Sequence, residues 1–381
     1  MKAAKRLDTV QEYYFSRKLR EVRGLQTSGK PIINMGIGSP DLQPPRAVIE
    51  AIQNSLLDDS AHKYQSYQGL PELRNEISNF YNDKFGVVSN PENEVLPLMG
   101  SKEGIMHISL AFLNEGDKVL IPNPGYPTYT SVTKLIGAEP VFYNLSIDNN
   151  WQPNLIELEN QDLTDVKIMW INYPHMPTGS SATINQFKDL IDFSKKYKIL
   201  LINDNPYSFI LNNDFVSLLS IKNAKENCME LNSLSKAFNL SGWRVGMLLG
   251  SKENISSVLK VKSNMDSGMF YGIQKGAIQA LNLDNKWFDS LNVTYSKRRV
   301  LMWELASILK CEVDKSSKGL FVWAKLPVGI NSSEQFINNI LTEKNIFIAP
   351  GIIFGSNGEG YIRFSLCIDE EKIKEAIKRF K

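Results

Sequence analysis

The chain has 381 residues, 43% apolar and 22% charged, with a formal net charge of +2. This composition excludes general disorder, and the near-neutral charge gives no reason to expect a nucleic-acid partner. Three scattered cysteines make no disulfide framework, three histidines make no His-rich metal site, and there is neither a signal peptide nor a run of ~20 apolar residues, so a cytoplasmic chain off the membrane is expected.

In chain order, residues 9–25 predict an amphipathic helix. Thr9-Val10-Gln11-Glu12 has capping-box spacing, Phe15, Leu19 and Val22 share one face, and Arg17, Lys18, Arg20 and Arg23 read as a solvated side. From residue 95, short apolar runs alternate with helix-length patterns. The runs are Val95–Met99, Lys118–Ile121, Pro140–Tyr143, Ile168–Ile171, Ile199–Ile202, Met229–Leu231 and Val245–Leu249. Helical stretches such as Glu103–Leu113 and Asn185–Tyr197 lie between them. That alternation predicts an α/β fold with a mainly parallel sheet between helices, whose ligand edge is at the strands' C-terminal ends. After residue 285 the rhythm changes to a long helix (Ser290–Leu309), an apolar run (Leu320–Leu326), a helix (Glu334–Thr342) capped at Ser332, and two more runs (Ile346–Ala349, Tyr361–Leu366). This reads as a smaller α+β domain with the N-terminal arm packed against it.

Most of the chemistry-bearing motifs fall at the strand ends. Leu98-Met99-Gly100-Ser101-Lys102-Glu103 marks a strand-to-helix junction whose free amides suit a phosphate. Pro124-Gly125-Tyr126-Pro127 offers a ring that can stack on a flat cofactor. Asp204, with Tyr207 three residues on, can hold a protonated ring nitrogen while the phenol reaches a ring oxygen. Asn232-Ser233-Leu234-Ser235-Lys236 leads into Gly242-Trp243-Arg244-Val245-Gly246. A lysine just past a strand end is partly desolvated, which lowers its pKa and suits an imine-forming amine. Two hydroxyls and an arginine beside it suit a phosphate. Arg363, inside a predicted strand, suits a carboxylate. Ser233-x-x-Lys236 also has the spacing of an acylating serine enzyme, but the partner motifs of that class are missing. Met35-Gly36-Ile37-Gly38-Ser39-Pro40 lacks the third glycine of a dinucleotide fingerprint. Jointly, the lysine, acid, ring, phosphate cup and carboxylate clamp are the protein's half of pyridoxal phosphate chemistry.

On these residues the chain resembles the class I/II aminotransferases, the aspartate-aminotransferase-like fold type I enzymes that use pyridoxal 5′-phosphate. The S-x-S-K-x(5)-G-x-R-x-G element and the earlier D-x-x-Y element carry the resemblance. It implies a seven-stranded large domain at 45–284, a small domain at 285–381, and an arm at 1–44. It implies that Lys236 forms the internal aldimine and shuttles the substrate proton, that Asp204 partners the pyridinium, that Tyr126 stacks, and that Tyr207 donates to the phenolic oxygen. Ser101 and Lys102 (through backbone N–H), Ser233, Ser235 and Arg244 match the phosphate cup. Arg363 matches the clamp on the substrate α-carboxylate, and Gly38 the point of close substrate approach. Tyr64 matches a tyrosine that reaches the phosphate of a neighbouring subunit, which implies a homodimer with shared sites. The implied reaction moves an amino group from an L-amino acid to a 2-oxo acid.

One position departs from the family. Asn172-Tyr173-Pro174-His175-Met176-Pro177-Thr178-Gly179 places Met176 where the family has a hydrogen-bonding asparagine. That leaves open a carbon–sulfur β-lyase on the same fold, or a cofactor-binding protein with poor catalysis. The segments Ile37–Pro45 and Tyr13–Arg20 are similar to alanine/aspartate-like and diaminopimelate-like aminotransferases, whereas Ser267-Gly268-Met269-Phe270 does not resemble the asparagine-containing segment of the diaminopimelate type.

Overall fold

The computed structural model describes residues 1–10, 12 and 14–381. Its central sheet has seven strands in the order Val95–Leu98, Gly246–Leu249, Cys228–Ser233, Leu200–Asp204, Val166–Ile171, Lys118–Asn123, Glu139–Asn144. All neighbours pair in parallel except Gly246–Leu249, which is antiparallel to both of its neighbours. The mainly parallel sheet expected from the rhythm is therefore present, with strand ends moved by a residue or two.

The strands read as continuous apolar runs because both faces are covered. Ile168 and Trp170 enter one core with Ile105, Tyr129 and Ile202, while Met169 and Ile171 enter the other with Phe187, Leu201 and Leu249. Alternate side chains point to opposite faces, so a strand with helices on both sides needs apolar residues throughout. Helix termini follow local rules. Thr183 and Gln186 form a reciprocal capping box, and Ser332 accepts from the Gln335 amide.

The C-terminal part builds a second, antiparallel sheet from Ala349–Pro350, Tyr361–Ser365, Phe321–Lys325 and Glu312–Val313. The run expected as one element at Ile346–Ala349 is divided. Ile346–Phe347 pairs in parallel with Ile33–Asn34, and one residue later Ala349–Pro350 pairs with Tyr361–Ser365. A continuous apolar run conceals such a change of partner because both halves are buried.

Two expectations for the arm are corrected. The helix spans Tyr14–Thr27, and Lys5–Thr9 forms a separate 3-10 turn. Thr9 Oγ1 donates to the Arg6 carbonyl at 2.8 Å, so its hydroxyl serves that turn instead of capping the helix. Gln11 of the expected capping box, and Tyr13, lie outside the described residues. Lys18 is buried, not solvated: its Nζ contacts Glu21 at 2.8 Å and donates to Asn338 Oδ1 at 2.8 Å. That contact ties the arm to the Ser333–Lys344 helix. Among the described residues no helix is long and apolar enough to cross a membrane.

Candidate active site

A cavity of about 370 Å³ opens at the C-terminal edge of the sheet. Asp204 and Ser233 are the last residues of their strands, Gly100 follows Leu98 closely, and Tyr126 follows Asn123. These four strands run in one direction, so their ends deliver side chains to the same edge. The cavity is lined by Gly38, Ser101, Lys102, Tyr126, Met176, Asp204, Tyr207, Ser233, Ser235, Lys236, Arg244 and Arg363. The structure thus brings together every residue singled out from the sequence except Tyr64. Tyr64 is 90% exposed and lies on the surface.

At one end, the Ser101–Phe112 helix begins without a side-chain cap, which leaves its first amides to a ligand. Gly100 has φ +90°, and a Cβ there would meet Arg244 Nη2 at 2.2 Å. The glycine therefore lets the guanidinium lie against the helix start. Arg244 Nη1 donates to the Ser241 carbonyl at 2.9 Å and to Ser235 Oγ at 3.4 Å. Ser233 Oγ caps the short Leu234–Ala237 helix and donates to Ser235 Oγ at 2.8 Å. Burial and the Arg244 charge lower the pKa of Lys102.

In the middle stand Asp204 and Lys236. Tyr129 donates to Asp204 Oδ2 at 2.9 Å, while Oδ1 is buried without a hydrogen-bond partner. Asn172 Nδ2 donates to the Asp204 carbonyl. Burial raises the Asp204 pKa to about 7 against the opposing pull of Tyr129 and Lys236. Lys236 is half-buried and donates to the Gly38 carbonyl at 2.6 Å. Burial lowers its pKa, and the Arg363 and Arg244 charges push the same way. Tyr207 is buried, with its ring edge-on to Phe321 at 5.8 Å.

At the far end is Arg363, 4% exposed. Its Nη2 donates to the Gly36 carbonyl at 2.7 Å and its Nη1 to Met176 Sδ at 3.3 Å. The guanidinium carbon lies 3.9 Å from the Phe321 ring centroid, 4.7 Å from Phe354 and 5.4 Å from Phe15. A planar cation among three rings is held in one orientation. A Cβ at Gly38 would meet Phe321 Cζ at 2.4 Å, so glycine is required for that packing.

The orphaned Asp204 oxygen, the uncapped helix start, the guanidinium fitted over Gly100 and the half-buried amine suit a protonated pyridine ring bearing a phosphate and a carbonyl. Over residues 30–380 the chain matches the family "Aminotransferase class I and II". The chain belongs to that family. It is an aminotransferase, moving amino groups between amino and 2-oxo acids. It is 37% identical over 378 residues to an LL-diaminopimelate aminotransferase of Aquifex aeolicus, with 99% of this chain and 97% of that protein covered. In structure it is similar to apo BacF of Bacillus subtilis, with a TM-score of 0.95, 33% identity and coverage of 100% and 97%. It is also similar to an aminotransferase of Staphylococcus aureus, with a TM-score of 0.90, 31% identity and coverage of 99% and 98%. The family implies pyridoxal phosphate as cofactor.

Sequence reasoning missed Tyr129, Asn172 and the ring cage. For Tyr129 a signal existed: it stands three residues after Tyr126 at a helix start, the spacing of neighbours on one face. It stacks on Trp170 at 5.0 Å and 7°, which aims its hydroxyl at Asp204. For Phe15, Phe321 and Phe354 there was none, because they come from three distant segments.

Proposed function

We propose that this aminotransferase holds pyridoxal 5′-phosphate with the residues named above, and that the unpartnered Oδ1 of Asp204 is the observation that carries the assignment. An acceptor buried without a donor costs roughly 1–3 kcal/mol, and a ring N⁺–H would relieve that cost. When bound, the cofactor supplies an electrophilic carbonyl and a ring that takes up electrons released at the substrate Cα.

The residues divide the remaining work. Asp204 holds the ring nitrogen's proton, and Tyr129 holds Asp204 in orientation. Lys236 is the attachment amine and afterwards takes the proton from the substrate Cα. Its lowered pKa favours the neutral base that this step needs. The Ser101 and Lys102 amides, Ser233, Ser235 and Arg244 bind the phosphate. Tyr126 stacks on the ring and Tyr207 donates to the ring oxygen. Arg363 binds the α-carboxylate, and Gly38 leaves room for the substrate. Met176 puts a sulfur on Arg363 where the family's asparagine would place an amide.

On this reading residues 45–284 carry the cofactor, and residues 285–381 with the arm 1–44 carry the carboxylate clamp. The protein works as a cytoplasmic homodimer, in which Tyr64 reaches the partner's phosphate. The exposure of Tyr64 on this chain and the free cysteines support those two points.

The test is a half-reaction. Purified protein with pyridoxal phosphate is mixed with each L-amino acid in turn, and pyridoxamine phosphate is quantified. Conversion by one amino acid and reversal by a 2-oxo acid are expected; no conversion by any amino acid refutes the reading.

A further inference from the structure

The geometry points to an uncharged, apolar side chain on the amino donor, received in a subsite walled by Phe15, Leu19, Ile37, Met176 and Phe354. This rests on the aminotransferase reading, in which Arg363 takes the α-carboxylate.

The cavity's charges are already committed. Lys102 and Arg244 lie together at the start of the Ser101–Phe112 helix, Asp204 and Lys236 stand in the middle, and Arg363 is at the far end. Among the described residues that line the cavity there is no other Asp, Glu, Lys, Arg or His. The wall next to Arg363 is aromatic and aliphatic, with Phe15 and Phe354 6.4 Å apart and Phe354 packed edge-on against Trp323 at 5.9 Å. The arm helix contributes Phe15 and Leu19 and is fixed in place by the Lys18–Asn338 bond.

A charged group placed against such a wall loses its water, and the described lining of this chain offers it no further charged partner, which is strongly unfavourable. LL-diaminopimelate, after which the Aquifex relative is named, carries an ammonium and a carboxylate at its far end. A side chain of methylene or phenyl groups gains instead, since each added methylene in a fitting pocket is worth roughly 10–200-fold in discrimination. Met176 belongs to this wall as well as to the clamp: its thioether is adaptable and apolar where an amide would be polar.

Binding of non-reacting carboxylates to the holoenzyme tests the subsite apart from catalysis. Calorimetry with 4-methylpentanoate, 3-phenylpropanoate and glutarate is expected to show the two apolar acids binding roughly 10-fold or more tighter than glutarate. In the half-reaction, L-leucine or L-phenylalanine is expected to exceed L-glutamate, L-aspartate and LL-diaminopimelate in kcat/KM by roughly 100-fold. Leu19→Arg, at a half-buried arm position, is expected to shift the binding preference toward glutarate, while Leu19→Met keeps the original order. Equal or tighter binding of glutarate by the unaltered protein, or LL-diaminopimelate as the best donor, overturns the proposal, and so does an unchanged preference in a folded Leu19→Arg protein. If apolar acids bind but no amino acid reacts, the aminotransferase reading fails and the subsite stands.

Discussion

Tyr129 donates its phenolic hydrogen to Asp204 Oδ2 at 2.9 Å, and the other carboxylate oxygen is left buried and unbonded. One residue thus orients the other while keeping one lone-pair face for a ligand. Tyr129→Phe removes a hydrogen bond to an ionisable group, worth roughly 1.5–3 kcal/mol. Cofactor affinity measured by equilibrium dialysis is expected to fall by about 10-fold or more, with the fold retained. Unchanged affinity would show that Tyr129 does not position Asp204.

The same carboxyl sets a pH dependence in the cofactor-free protein. Its folded pKa of about 7 lies above the unfolded value, so the folded state binds the extra proton between pH ~4 and ~7. Its contribution favours folding fully below that window and is lost as pH rises through 7. At ~1.4 kcal/mol per pKa unit, this is at most ~4 kcal/mol. Melting temperatures of the cofactor-free protein are expected to drop from pH 5 to pH 8 more for the natural chain than for Asp204→Asn. Parallel curves would contradict this.

Lys236→Ala is expected to leave a folded protein that no longer retains pyridoxal phosphate covalently after borohydride reduction, read by intact mass. Retention of the label at another lysine would remove Lys236 from the assigned role.

Gly100→Ala places a methyl where Arg244 Nη2 lies and forces a side chain onto a positive φ. The backbone strain costs about 1 kcal/mol or more. Moving the guanidinium is expected to weaken cofactor binding by about 10-fold. Affinity equal to the natural protein's would show that the glycine is not needed for the cup.

Met176 puts its sulfur on Arg363 and also lines the cavity, so substitutions there are expected to act on substrate binding. Met176→Leu keeps the shape but removes the sulfur that accepts from Nη1 at 3.3 Å. A rise in KM of a few-fold with nearly constant kcat is expected. An equal fall in kcat and kcat/KM would instead place Met176 in the transition state.

The motifs at the sheet edge were legible because each sits where a strand ends. Asp204 closes Leu200–Asp204, and Ser233 closes Cys228–Ser233 two residues before Ser235. Strand ends can be read from apolar runs, so the sequence alone brings Ser101, Asp204, Ser233 and Lys236 to one edge, and the cavity there is lined by all four. The arm was misread for the opposite reason. Lys18 looks like a solvated cation in a basic stretch, and only the distant Asn338 explains its burial. The division at Ile348 was hidden because both of its flanking strands are apolar.

The sequence by itself determined the alternation of strands and helices, and with it the sheet edge where Ser101, Asp204, Ser233 and Lys236 gather. Periodicity and capping are local, so they survive in one dimension. Only the tertiary structure decided the surroundings of Arg363. Phe15, Phe321, Phe354 and Met176 come from four separate segments, and packing alone brings them around one guanidinium. It likewise decided how deeply Asp204 and Lys236 are desolvated, and so that the Asp204 pKa is raised and the Lys236 pKa lowered, because burial belongs to the whole fold.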